Sequence, residues 1–138
     1  MIYTKPSDFL DILPFVRAYQ VEILDETPGA VVISSPYIEA FSTPPDLFPA
    51  TSVGVIGDVA AISSCLSMLP VGWATATLDF TVKMTGIARG EKLIARGRIL
   101  QNGKTFSVAG ADVFAVQDGV ESLCGTVLSS ARNYKIKN

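Results

Sequence analysis

Ser52-Val53-Gly54-Val55-Ile56-Gly57-Asp58-Val59-Ala60-Ala61-Ile62-Ser63-Ser64-Cys65-Leu66-Ser67-Met68-Leu69 is the stretch that decides the fold. Val53, Ile56, Ala60 and Ser64 recur at helical spacing, while Val55, Val59, Ile62 and Leu66 make the other faces apolar too. A helix that is greasy nearly all round must be buried nearly all round. Thr51 or Ser52 is expected to cap its start, and Pro70 with Gly72 to end it.

Toward the N-terminus, residues 7–16 read as a short helix capped by Ser7, with Phe9, Leu10, Ile12 and Leu13 on one face and Pro14 limiting it. Residues 19–24 alternate like a strand, residues 25–29 resemble a turn, and residues 30–38 form a second strand rich in Val and Ile. Three prolines make residues 39–50 a loop. Toward the C-terminus, residues 75–85 alternate, with Ala76, Leu78, Phe80, Val82 and Met84 on one face and Thr75, Thr77, Asp79, Thr81 and Lys83 on the other. Residues 91–100 and 105–116 are strands joined by the hairpin signal Gln101-Asn102-Gly103-Lys104. Gln117-Asp118-Gly119 is a further turn, residues 121–129 a last strand, and the polar residues 131–138 a frayed tail. The order is helix, two strands, long buried helix, four strands. A lone apolar helix followed by a meander is buried only if the sheet curls around it, an α+β arrangement in one domain spanning residues 1–138.

Composition narrows the function. Hydrophobic residues make up 49% of the 138 and charged residues 17%, which excludes disorder and implies that copies associate. A net charge of −2 without a basic block argues against a nucleic-acid groove. No uncharged run is apolar enough to span a membrane. The two cysteines, Cys65 and Cys124, sit in apolar surroundings and read as free thiols of a reducing compartment, the cytoplasm. There is no histidine. Ser-His-Asp and Cys-His machinery and imidazole metal sites are therefore impossible, and catalysis near neutral pH falls to carboxylate, hydroxyl, lysine or backbone amides.

Asp58 is the only charge between Asp46 and Asp79, set in an otherwise apolar helix. Partial burial would raise its pKa toward that of a useful base; a paired or solvated structural aspartate is the other reading. Gly54, one turn earlier on the same face, and Gly57 would leave room for a bulky substrate.

The segment Pro49-Ala50-Thr51-Ser52-Val53-Gly54-Val55-Ile56-Gly57-Asp58-Val59-Ala60-Ala61, with Ala76-Thr77-Leu78-Asp79-Phe80, Ala88-Arg89-Gly90-Glu91-Lys92-Leu93 and Asn102-Gly103-Lys104-Thr105, resembles the hotdog-fold thioesterases of the PaaI-like (phenylacetic acid degradation-related) type. The likeness runs over residues 19–130. It implies a hotdog fold, one long central helix wrapped by a curved antiparallel β-sheet. The family shows a His-Gly-Gly turn and a helical Asp nine residues after that His. Asp58 stands at the Asp position, whereas Pro49-Ala50-Thr51 replaces the turn.

The resemblance implies an acyl-CoA thioesterase with Asp58 as base or nucleophile, the Ala50 N–H polarising the carbonyl, and Thr77 orienting water. Thr51, Gly54 and Gly57 would border the substrate, and Arg89 and Lys92 would reach coenzyme A phosphates. It further implies no cofactor or metal, and a homodimer or dimer-of-dimers tetramer whose site combines Asp58 of one chain with Thr77 of the next. Thr77 also reads as an ordinary outward-facing strand threonine, and the basic residues as plain surface. The replaced turn keeps a second function in view, a non-catalytic acyl-CoA binding protein. A hotdog dehydratase is disfavoured, because those enzymes generally need a histidine.

Overall fold

The computed structural model describes residues 5–137. Two short helices, α1 (Pro6–Leu10) and α2 (Pro14–Ala18), lead into the antiparallel pair β1 (Glu22–Thr27) and β2 (Ala30–Pro36). A single 3-10 turn over Glu39–Phe41 precedes the long helix α3 (Ala50–Leu66). Four strands follow: β3 (Trp73–Met84), β4 (Lys92–Asn102), β5 (Phe106–Gln117) and β6 (Val120–Lys135). They join β1 and β2 in one antiparallel sheet of order β1-β2-β4-β5-β6-β3, and α3 packs across it, touching every strand from β2 to β3.

The all-round apolar pattern of α3 is matched by burial: thirteen of its 17 residues are buried. Its serines hold this position without orphaned hydroxyls. Ser63 and Ser64 donate back to the carbonyls of Val59 and Ala60, and Ser64 also accepts the β2 amide of Val31 at 3.2 Å. Val31, Ile33, Val53, Ile56, Leu93 and Val113 form the dry centre between helix and sheet. Four bulges, leaving out Leu24, Leu78, Leu100 and Cys124 from the pairing, supply the local bending that lets the sheet curve around α3.

Several expectations are corrected. The N-terminal helix is two helices, because Pro14 cannot continue the first but is well suited to open the second. Ser7 lies inside α1, whose N-cap is Lys5, and the Asp8 carboxylate accepts the Lys5 N–H. Tyr19 ends α2, so the first strand starts at Glu22. Helix α3 begins at Ala50 behind Pro49, and neither Thr51 nor Ser52 caps it; the Ser52 hydroxyl donates instead to the carbonyl of Phe41 at 2.9 Å. The helix ends at Leu66, after which tighter turns carry the chain to Leu69.

The four last strands are not a simple meander. β3 crosses to the far edge and pairs with β6, while β4 pairs with β2. Residues 131–135 are not frayed: they pair with β3, and Asn133 is buried, accepting from Thr75 and donating to Ser107 and the carbonyl of Gly103.

Candidate active site

Asp58 sits halfway along α3, on the side turned toward the edge of the sheet formed by β3 and β6. Two strands bring a hydroxyl each. Thr77 of β3 donates to the carboxylate with its Oγ1 3.1 Å from Oδ1 and 3.0 Å from Oδ2, and Ser129 of β6 donates to Oδ1 at 2.8 Å. Burial raises the Asp58 pKa above its ordinary value, and the Ser129 and Thr77 hydrogen bonds pull it partly back. A desolvated carboxylate held in place by two hydroxyls is fixed in orientation and more basic than a free aspartate, properties that general-base chemistry uses.

The bulge at Leu78 explains how Thr77 gets there. An unbroken alternation would place Thr77 on the face opposite Phe80 and Val82. The extra residue resets the register between Thr77 and Asp79, so Thr77 points to α3 and Phe80 and Val82 beyond it face α3 as well. Asp79 then turns away and accepts from Ser130. The strand is therefore not two uniform faces, and Thr77 is not an outward-facing threonine. Nor is a second copy needed to join Thr77 to Asp58, since both belong to the same chain.

Gly54 and Gly57 do not open space for a ligand. A methyl group on Gly54 would lie 2.7 Å from Val82 Cγ2, and one on Gly57 would lie 2.3 Å from Val127 Cγ2. Their missing side chains let α3 seat closely on β3, β5 and β6. The open space is elsewhere. Beside Asp58 and Thr77 runs a groove of about 360 Å³, bounded by Val59 and Ile62 of α3 and, across from them, by Phe9, Leu13 and Phe15 of the N-terminal segment. That wall was not foreseen from the sequence, where residues 7–16 read only as a short amphipathic helix. Ser129 was not foreseen either; a serine 71 positions from Asp58 in a strand carries no signal of its own.

Ala50 and Thr51 are exposed in the first turn of α3, where backbone N–H groups have no helical carbonyl to bond. They lie two turns from Asp58: eight positions at about 1.5 Å each is roughly 12 Å. Arg89 lies at the same end, its segment held by the bonds of Phe48 N–H to the Ala88 carbonyl and of Gly90 N–H to that of Asp46. Its guanidinium pairs with Asp46 at 2.5 Å. Lys92 is exposed at the start of β4. Neither basic residue borders the Asp58 groove. The thiols of Cys65 and Cys124 are pushed up by burial to about 12 and about 11, which leaves them unreactive. Among the described residues no group of His, Cys, Asp and Glu is placed to hold a metal.

Comparison with solved structures places the fold. A thioesterase family protein from Silicibacter pomeroyi superposes with a TM-score of 0.89 at 25% identity, covering 94% of this chain and 96% of that one. The chain has the hotdog fold of the thioesterase superfamily. A thioesterase from Haemophilus influenzae aligns with a TM-score of 0.82 at 13% identity over 99% of this chain and 94% of that one. The E. coli PaaI protein from the phenylacetic acid degradation operon aligns with 0.79 at 14% over 95% and 93%. No family model and no curated protein matches the sequence. In this hotdog chain the long helix, the β3–β6 edge and the Asp58 carboxylate form one continuous unit. No described helix is long and apolar enough to cross a membrane.

Proposed function

We propose that this protein is an acyl-CoA thioesterase in which Asp58 attacks the thioester carbonyl or activates a water to do so. The observation that carries this reading is the half-buried Asp58 carboxylate, raised in pKa, clamped by Thr77 and Ser129 and opening on an apolar groove. Hydrolysis then needs a donor for the developing oxyanion. The exposed Ala50 N–H, at the positive end of α3, has that chemistry. A reacting carbonyl must lie within about 3–3.5 Å of its attacking group and as close to its donor, so one 12 Å stretch of helix cannot serve both ends. The Ala50 amide therefore comes from a second copy, and Arg89 arrives with it, beside the coenzyme A phosphates. Thr51 borders the entrance at that end, and Lys92 lies further along the same side.

A competing reading, acyl-CoA binding without turnover, draws on Pro49, which stands at the helix entrance and has no N–H to offer an oxyanion. Release of free thiol from a panel of acyl-CoA esters separates the two. Wild type is expected to release thiol, and Asp58→Asn to lose at least about 10²-fold in kcat/KM, the scale of a lost general base. Unchanged turnover in Asp58→Asn removes the assignment of Asp58. Tight acyl-CoA binding with no thiol release favours the binding protein.

A further inference from the structure

The groove beside Asp58 has a second wall that the hotdog sheet does not supply. Its floor is the hotdog helix, but its outer side is built from residues that precede the sheet altogether: Phe9 of α1, Leu13 between the helices, and Phe15 of α2. Leu10 and Val16 of the same segment are buried and anchor it to the core. The α1 amide of Ser7 also donates to Glu26 of β1 at 3.1 Å. The segment is thus fixed, yet Phe15 remains 49% exposed next to a carboxylate that the protein has desolvated. An aromatic ring left half in water at the rim of an apolar groove is a surface completed by an apolar ligand.

Resting on the thioesterase reading above, we infer that this N-terminal wall is the acyl-selecting element: Leu13 and Phe15 grip the acyl group against Val59 and Ile62, and choose apolar groups of ring or medium-chain size. Three features set that class. The volume of about 360 Å³ is at the small end of ligand cavities, which run roughly 300–1,000 Å³, and matches a ring or a medium chain better than a long fatty chain. The bordering side chains are predominantly apolar, so an acetyl group leaves most of the surface uncovered. Among the described residues the one charge lining the groove is the Asp58 carboxylate, which repels an acyl group ending in a second carboxylate.

The test compares kcat/KM for acetyl-, hexanoyl-, phenylacetyl-, palmitoyl- and succinyl-CoA in wild type, Leu13→Ala, Phe15→Ala and Ile12→Ala. Both groove positions are partly exposed, and thermal melting verifies that each variant folds. Wild type is expected to prefer hexanoyl- and phenylacetyl-CoA to the other three. Phe15→Ala and Leu13→Ala are each expected to shrink that preference over acetyl-CoA by about tenfold, the scale of losing one apolar contact in a specificity pocket. Ile12→Ala, exposed in the same segment but outside the groove, keeps the ratio. A wild-type preference that survives both groove variants overturns the inference while leaving the thioesterase intact. If no ester is hydrolysed, the thioesterase reading fails, and equilibrium binding of hexanoyl-CoA against free coenzyme A takes over. A preference for the acylated form that Phe15→Ala weakens sustains the wall, and one that it leaves untouched overturns it.

Discussion

At Asp58, two opposing effects act on one carboxyl: burial raises its pKa, and the hydroxyls of Ser129 and Thr77 lower it. The pH dependence follows from their signs. The active form is the carboxylate, so kcat/KM is expected to rise with pH along a limb displaced above the ordinary aspartate range. Ser129→Ala and Thr77→Val each remove a lowering interaction, so both shift that limb further up, whereas Thr77→Ser keeps the hydroxyl and the profile. A limb that stays put in Ser129→Ala removes Ser129 as a positioning residue. Stability runs the other way. With the folded pKa above the unfolded one, this carboxyl favours the folded chain below the unfolded value, and that contribution is lost as pH rises through the folded value. Asp58→Asn is therefore expected to melt above wild type at pH 7, with the gap closing in acid. Asp58 itself was legible in the sequence as a solitary charge in an apolar helix. Its two clamps were legible only in part. Thr77 came from a family pattern, and its direction was hidden because a bulge of one residue reverses every face that follows it.

Helix α3 announces itself by composition, because an element without a polar face has one physical solution. What its glycines do is a matter of distance that composition cannot give. Gly57→Ala would gain about 1 kcal/mol in helix propensity but lose about 1–3 kcal/mol by overpacking, since the new methyl meets Val127 Cγ2 at 2.3 Å. A net loss of stability in urea unfolding is expected, and Val127→Ala in the same chain should recover part of it. Gly97 of β4 offers a contrast. There a methyl would lie 2.3 Å from the backbone carbonyl oxygen of Ala60, which no side-chain change can trim. Gly97→Ala should cost more than Gly57→Ala and resist rescue. A neutral Gly57→Ala would mean that α3 is not seated so closely. The last strand shows the complementary blindness. Arg132 and Asn133 look like part of a polar tail, yet β3 needs a partner along its length, and Asn133 satisfies its amide inside the sheet.

For the whole molecule, the sheet leaves β3 as an open edge that carries Leu78, Phe80 and Met84, each at least 40% exposed. Such an edge invites pairing, and the apolar excess of the chain argues for the same outcome. Under the mechanism proposed above, association would serve the chemistry, because Asp58 and Ala50 of one helix are too far apart to act on one carbonyl. Complementation tests this directly. Asp58→Asn removes the base, and Ala50→Pro removes the amide at the first helical position, where proline fits and Pro49 already holds the extended backbone that a following proline requires. Each variant alone should be nearly inactive. Unfolded and refolded together in equal amounts, half of the dimers are mixed, and each mixed dimer has one site with both groups intact and one with neither. Activity should return to about a quarter of wild type, the share set by two-fold symmetry. Mixed dimers that form, verified by differently tagged chains, yet stay inactive would overturn the shared site, whereas Ala50→Pro that turns over as wild type on its own would remove Ala50 from the reaction.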